Sequence, residues 1–163
     1  MKILSMKTTI FLGAMLSLLV CLMFTGCSNS ETNSTSRGLT DFALIEEEYL
    51  ATIDSLNWPD GITLPDKLED EDTGASFQVG YGETRASYLW EYSWMKEWLD
   101  TYNTDPERAE KALEELEKAF DMPYMGIDRC DDATRNYLRE NIDKAKLGDP
   151  SGFTESIRAN YAN

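Results

Sequence analysis

The residues best suited to chemistry lie in one aromatic stretch, residues 81–102. Trp90, Trp94 and Trp98 recur there at intervals of four, which on a helix places the three indole rings along one side. Such rings either fill a core or line a groove for a sugar, a peptide or another protein. Helical periodicity favours the core, and the groove is the alternative. The candidate binding residues are Trp90, Trp94, Trp98, Tyr88, Tyr92 and Trp58.

Residue types for catalysis are sparse. The chain contains no histidine, so the commonest general base and every nucleophile that depends on histidine are missing. A glycoside hydrolase needs two carboxylates roughly 5 to 10 Å apart. Glu83 and Glu91 flank the first half of the aromatic helix, but the helical rise separates them by about 12 Å. We therefore expect no catalytic residues, with a glycan-acting enzyme as the alternative.

An acidic run, Glu69-Asp70-Glu71-Asp72, raises the question of calcium, which prefers carboxylate oxygens. The spacing departs from an EF-hand, because Thr73 and Gly80 stand where acidic ligands would be required. The run is more typical of a solvated loop. We expect no metal and no cofactor.

The first 27 residues carry the most specific motif. Lys2 and Lys7 accompany an apolar run of 15 residues, 10–24, which is shorter than the about 20 residues of a membrane-spanning helix. The run ends in Phe24-Thr25-Gly26-Cys27, which resembles the lipobox of bacterial lipoproteins, with Phe24 where leucine is common. An ordinary cleaved signal peptide is the alternative.

The resemblance implies cleavage before Cys27 and attachment of diacylglycerol to its sulfur. Two acyl chains anchor a protein stably, where one is marginal. We therefore expect a protein held by lipid on the outer face of the cytoplasmic membrane, or at the outer membrane if the host has one. After cleavage Cys130 is the remaining cysteine, and we expect it to be half-buried at a helix start.

Three regions follow from these signals: a signal peptide at 1–26, a lipidated cysteine with a flexible tether at 27–39, and a helical domain at 40–163. Of 15 basic residues, the signal removes Lys2 and Lys7, which leaves 13 against 30 acidic residues and a net charge of −17. Such a surface repels phosphates, so a nucleic-acid partner is excluded.

Periodicity and capping signals predict an all-α bundle of four to five helices around the aromatic helix. The predicted helices cover 41–56, 81–102, 105–120, about 131–147 and a last stretch to about 161. Thr40 and Thr104 are the expected N-caps of the first and third helices, and Leu39 with Leu44 a hydrophobic staple. Glu46, Glu47 and Glu48 are expected to face solvent.

Residues 58–82 form a long irregular loop in this prediction, with a short hairpin that pairs 62–64 with 77–81. The loop either covers one end of the bundle or serves as a recognition loop beside the aromatic helix.

Together these features predict a lipid-anchored, extracytoplasmic binding or interaction module whose partner is an envelope protein or glycan. An enzyme acting on envelope glycans and a purely structural lipoprotein of a membrane complex are the alternatives.

Overall fold

The computed structural model describes residues 38–69 and 71–161. These residues form five α-helices, two 3-10 turns and one pair of very short strands. The predictions for the signal peptide, Cys27 and most of the tether lie outside the described residues. The helices are α1 Phe42–Ser55, α2 Tyr81–Thr101, α3 Pro106–Glu117, α4 Asp132–Lys146 and α5 Ser151–Asn160.

The aromatic helix α2 is the centre of the bundle. Its 21 residues span about 32 Å, and α1, α3 and α5 all contact it. α4 packs against α3 and α5. The prediction of an all-α bundle around this helix is confirmed.

Two apolar clusters fill the interior. The smaller lies between α1 and the first half of α2 and includes Ile45, Ile53 and Phe77. The larger joins the second half of α2 to α3, α4 and α5, and it includes Trp94 and Phe153. The first half of α2 therefore faces one helix and the long loop, which leaves more room for a site there than the second half does.

The predicted hairpin partner is wrong. The strand β2, Phe77–Gln78, pairs antiparallel with β1, Leu39–Thr40, and not with residues 62–64. The reason is the close approach of α1 and α2 near their starts, at Ile45 and Gly82. The segments that lead into the two helices are thereby brought side by side.

Aspartates cap α1 and α3, one position later than predicted. The carboxylate of Asp41 accepts a hydrogen bond from the Leu44 amide at 3.1 Å, and that of Asp105 from the Arg108 amide at 3.2 Å. The negative charge of a carboxylate at the cap also interacts favourably with the positive end of the helix dipole, whereas a threonine hydroxyl carries no charge. With the cap shifted, the staple is lost, and Leu39 and Leu44 are both exposed.

Three apolar or aromatic side chains in the second half of the chain, at positions 127, 133 and 137, are exposed. Ile127 is 85% exposed, although its neighbours Tyr124 and Met125 are buried in a 3-10 turn, Pro123–Met125. Ala133 and Tyr137 of α4 are also exposed. They lie in the first turns of that helix, before the stripe of Leu138, Ile142 and Ala145 that reaches the core.

Candidate functional site

The three tryptophans of α2 are core residues. Trp90 and Trp94 are each 1% exposed and Trp98 is 2% exposed. The indole N–H groups of Trp90 and Trp94 both donate to the backbone carbonyl of Asn57, at 2.8 and 3.2 Å. Trp98 packs edge-on against Phe153 and stacks on Tyr102. The alternative that these rings line an open groove is therefore corrected in favour of the core.

The other candidate binding residues have different surroundings. Trp58 is half-buried between the two apolar clusters, and its indole N–H donates to the Ile53 carbonyl at 2.9 Å. Tyr92 is half-buried against the ring of Tyr161. Tyr88 is 41% exposed and lines a cavity at the surface. Of the predicted set, Tyr88 is thus the residue that the structure places at an open site.

That cavity has a volume of about 270 Å³ and is built by four parts of the chain. α1 contributes Tyr49, the loop contributes the segment around Leu68, α2 contributes Arg85 and Tyr88, and Tyr161 follows α5. Cavities that take drug-sized ligands measure about 300–1,000 Å³, so this one suits a smaller ligand of one or two rings. The loop thus borders this cavity beside α2.

A close crossing of α1 and α2 positions the cavity. Gly82 permits it, because a Cβ atom there would lie 1.8 Å from the Ile45 carbonyl oxygen. Tyr49 follows Ile45 by one helical turn, and Arg85 follows Gly82 by nearly one turn. The crossing therefore brings Tyr49 and Arg85 to the same place on the surface.

Two glutamates of α1 hold the surrounding backbone. The Glu48 carboxylate accepts hydrogen bonds from the Gly80 amide at 2.9 Å and the Gly82 amide at 3.2 Å, at the start of α2. Glu46 accepts from the Leu68 amide at 3.3 Å, which fixes the loop against α1. The expectation that 46–48 face solvent is wrong for these two and holds for Glu47, which is exposed.

Tyr49 is the most deeply placed polar group of the cavity. The residue is 6% exposed, and it lines the cavity. Burial raises the pKa of Tyr49, an effect that Arg85 opposes and Glu69 reinforces. The hydroxyl is therefore protonated at neutral pH and is available both to donate and to accept a hydrogen bond.

Two ion pairs of described residues lie near this hydroxyl. Arg85 pairs through Nη1 with Glu71, which also accepts a hydrogen bond from the Tyr81 hydroxyl at 2.7 Å. Lys67 pairs with Glu69 at 2.9 Å on the exposed rim. Guanidinium carries five N–H donors, so Arg85 keeps donors beyond those at Nη1.

A buried carboxylate lies next to the cavity wall. Glu91 is 7% exposed and accepts a hydrogen bond from the Tyr124 hydroxyl at 2.8 Å. Burial raises the pKa of Glu91 to about 7, although the bond from Tyr124 opposes the rise. The charge of Glu91 in turn contributes to raised pKa values of Tyr88 and Tyr161, for which burial is the main cause.

Glu83 and Glu91, the two carboxylates considered for a glycoside hydrolase, are held by different partners. Glu83 forms an ion pair with Arg129 at 2.7 Å, while Glu91 is held inside the bundle by Tyr124. Neither belongs to the described residues that line the cavity. Cys130 is half-buried, as expected, and burial raises the pKa of its thiol, which disfavours the nucleophilic thiolate.

The acidic run is less solvated than predicted. Glu71 is partly buried in its pair with Arg85, and Asp72 accepts a hydrogen bond from the Gly74 amide at 2.9 Å. Asp70 lies outside the described residues. Within the described ranges, no three cysteine, aspartate or glutamate side chains gather as a metal site would require.

Sequence reasoning missed Tyr49, Arg85 and Tyr161. Tyr49 lies at a position of α1 that the apolar period assigns to the core, and Arg85 is a single basic residue in the first half of an aromatic helix. Their convergence depends on the α1–α2 crossing, for which the glycines at 80 and 82 were the available signal. A glycine inside a helix start often marks a close backbone approach.

Comparison of the chain with models of protein families, with curated proteins and with solved structures gives no match. Across residues 38–69 and 71–161, none of the helices has the length and apolar character that crossing a bilayer requires.

Proposed function

We propose that the protein is a lipid-anchored, extracytoplasmic binding module whose ligand occupies the cavity beside the first half of α2. The observation that carries the proposal is the convergence of Tyr49, Arg85 and Tyr88, from two helices, on one surface cavity that the loop around Leu68 borders. The Tyr49 hydroxyl at this wall can donate and accept a hydrogen bond, so a ligand that enters the cavity meets a polar group there.

The construction of the cavity supports binding over catalysis. Its polar groups are tyrosine hydroxyls and paired charges, and no histidine exists in the chain to act as a base. Aromatic and apolar walls with a few polar groups are typical of ligand sites. The resemblance of the first 27 residues to a lipoprotein signal supports the location of the module outside the cytoplasm.

The anchor is tested by labelling the full chain with an alkyne fatty acid in a bacterial host. We expect the wild type to be labelled and to be found in the membrane fraction. Cys27→Ala should lose both the label and the membrane association. Cys130→Ala is the matched control, because a half-buried thiol of raised pKa is a poor site of acylation. Equal labelling of wild type and Cys27→Ala would contradict the anchor.

Binding is tested on residues 28–163, which include all of the compact unit to which the described residues belong. Three probes represent neutral sugars, peptides and anions: diacetylchitobiose, blocked tetra-alanine and glycerol phosphate. A ligand that binds the folded state raises the midpoint of thermal unfolding. We expect one probe to raise it for the wild type. If all three leave the midpoint unchanged, the cavity is not a binding site for these classes and the proposal fails.

A further inference from the structure

We infer that the ligand of this cavity is a neutral saccharide unit, one that meets the Tyr49 hydroxyl with its own hydroxyls and the tyrosine rings with its apolar face. The inference rests on the proposed function and names the chemical class of its ligand.

The charges at the cavity favour a neutral ligand. Among the described residues Arg85 is paired with Glu71, and Lys67 with Glu69, so each of these two cations has a carboxylate partner. The mature chain, with 13 basic and 30 acidic residues, has a field that repels anions at long range. A cation would in turn meet Arg85 and Lys67 at the wall. A polyhydroxylated neutral molecule incurs neither repulsion.

The hydrogen-bonding groups suit hydroxyls, which donate and accept at once. The Tyr49 hydroxyl can both donate and accept a hydrogen bond, and Arg85 carries donors beyond the Nη1 that bonds Glu71 and Tyr81. The carboxylates of Glu69 and Glu71 beside them are acceptors. A saccharide ring presents several hydroxyls in a fixed arrangement, which matches such a mixed set better than a hydrocarbon or a single charge does.

The shape of the site agrees with a ring of that kind. Tyr49, Tyr88 and Tyr161 each contribute an aromatic ring to the wall, and Leu68 adds an apolar surface. A sugar ring has one face of C–H groups that packs on such surfaces while its hydroxyls point outward. The volume of about 270 Å³ limits the enclosed part to one or two rings.

The test is calorimetric titration of diacetylchitobiose into residues 28–163, in wild type and in Tyr49→Phe. Because the described residues form no hydrogen bond with that hydroxyl, we expect its removal to leave the unfolding midpoint unchanged, while the lost bond to ligand weakens affinity about fivefold. Tyr137→Phe is the control, since Tyr137 is exposed on α4 outside the cavity. Affinity that changes little with salt would mark a neutral ligand.

Two results would overturn the inference. If blocked tetra-alanine or glycerol phosphate stabilises the protein and diacetylchitobiose does not, the saccharide is wrong while the binding module stands. If diacetylchitobiose binds wild type and Tyr49→Phe equally, the sugar is not held at this cavity. Failure of all three probes is the separate result that removes the proposed function itself.

Discussion

Glu91 is a carboxylate inside the bundle, and burial raises its pKa from 4.5 to about 7. The folded state therefore holds the proton more tightly than the unfolded chain does. The contribution to stability is full below about pH 4.5 and is lost as the pH rises through about 7, a change of about 3 kcal/mol. Tyr124 makes the hydrogen bond that keeps either form in place.

Glu91→Gln should remove that dependence, because an amide of the same shape stays neutral. Urea unfolding between about pH 4.5 and pH 8 measures it. We expect the stability of the variant relative to the wild type to increase as the pH rises through this range. Glu114→Gln, at an exposed position, is the control. A difference between Glu91→Gln and wild type that stays constant with pH would contradict the raised pKa.

Glu48 connects α1 to the start of α2 through the amides of Gly80 and Gly82. Glu48→Ala leaves those partly buried donors without their acceptor, so we expect a loss of about 1–3 kcal/mol in the free energy of unfolding. Glu47→Ala, at the exposed neighbouring position, should change it by less than about 0.5 kcal/mol. The midpoints of urea unfolding of the two variants measure this difference. Equal midpoints for Glu48→Ala and Glu47→Ala would contradict the role of Glu48.

At the scale of elements, the crossing of α1 and α2 depends on Gly82. A Cβ atom there would meet the Ile45 carbonyl oxygen at 1.8 Å, and backbone atoms cannot turn aside as a flexible side chain can. We expect Gly82→Ala to cost about 3 kcal/mol or more, measured by thermal unfolding.

Gly74→Ala is the matched control for this substitution. Its added Cβ would lie 3.4 Å from Asp72 Oδ1, an ordinary contact, so we expect a change of less than about 0.5 kcal/mol. An unfolding midpoint for Gly82→Ala equal to that of Gly74→Ala would show that the helices do not cross as closely as described.

The elements themselves were largely predictable, because the helices follow from local signals. α2 was expected over 81–102 and covers Tyr81–Thr101, since its aromatic period and the flanking glycines act within a few residues. The aspartate caps were displaced by one position for an equally local reason. The pairing of β1 with β2 was not predictable, because it follows from how two helices pack.

The candidate site was predictable in part. Tyr88 was expected at a binding site and lines the cavity, whereas the tryptophans of the same helix are core. Periodicity alone does not separate the two roles, because both sets occupy apolar positions of one helix. Tyr49 and Leu68 join the site through contacts between segments about 20 to 35 residues apart, such as Glu46 with Leu68 and Glu48 with Gly80.

For the whole molecule, the proposal places an acidic helical body on a short polar tether beside a membrane. Its net charge of −17 after signal removal would repel anionic headgroups and keep the body off the lipid surface. The cavity would then remain accessible to a soluble or wall-bound saccharide. The tryptophan-rich half of α2 has the separate task of holding α3, α4 and α5 together.

The most direct test of this account is a map of amide chemical shifts in ¹⁵N-labelled residues 28–163 during a titration with diacetylchitobiose. The account predicts shifts at Tyr49, Leu68, Arg85 and Tyr88, with the amides of Trp94 and Trp98 unchanged. Shifts centred on Trp94 and Trp98, or no shifts at any amide, would contradict the claim that the cavity beside the first half of α2 is where this protein binds its ligand.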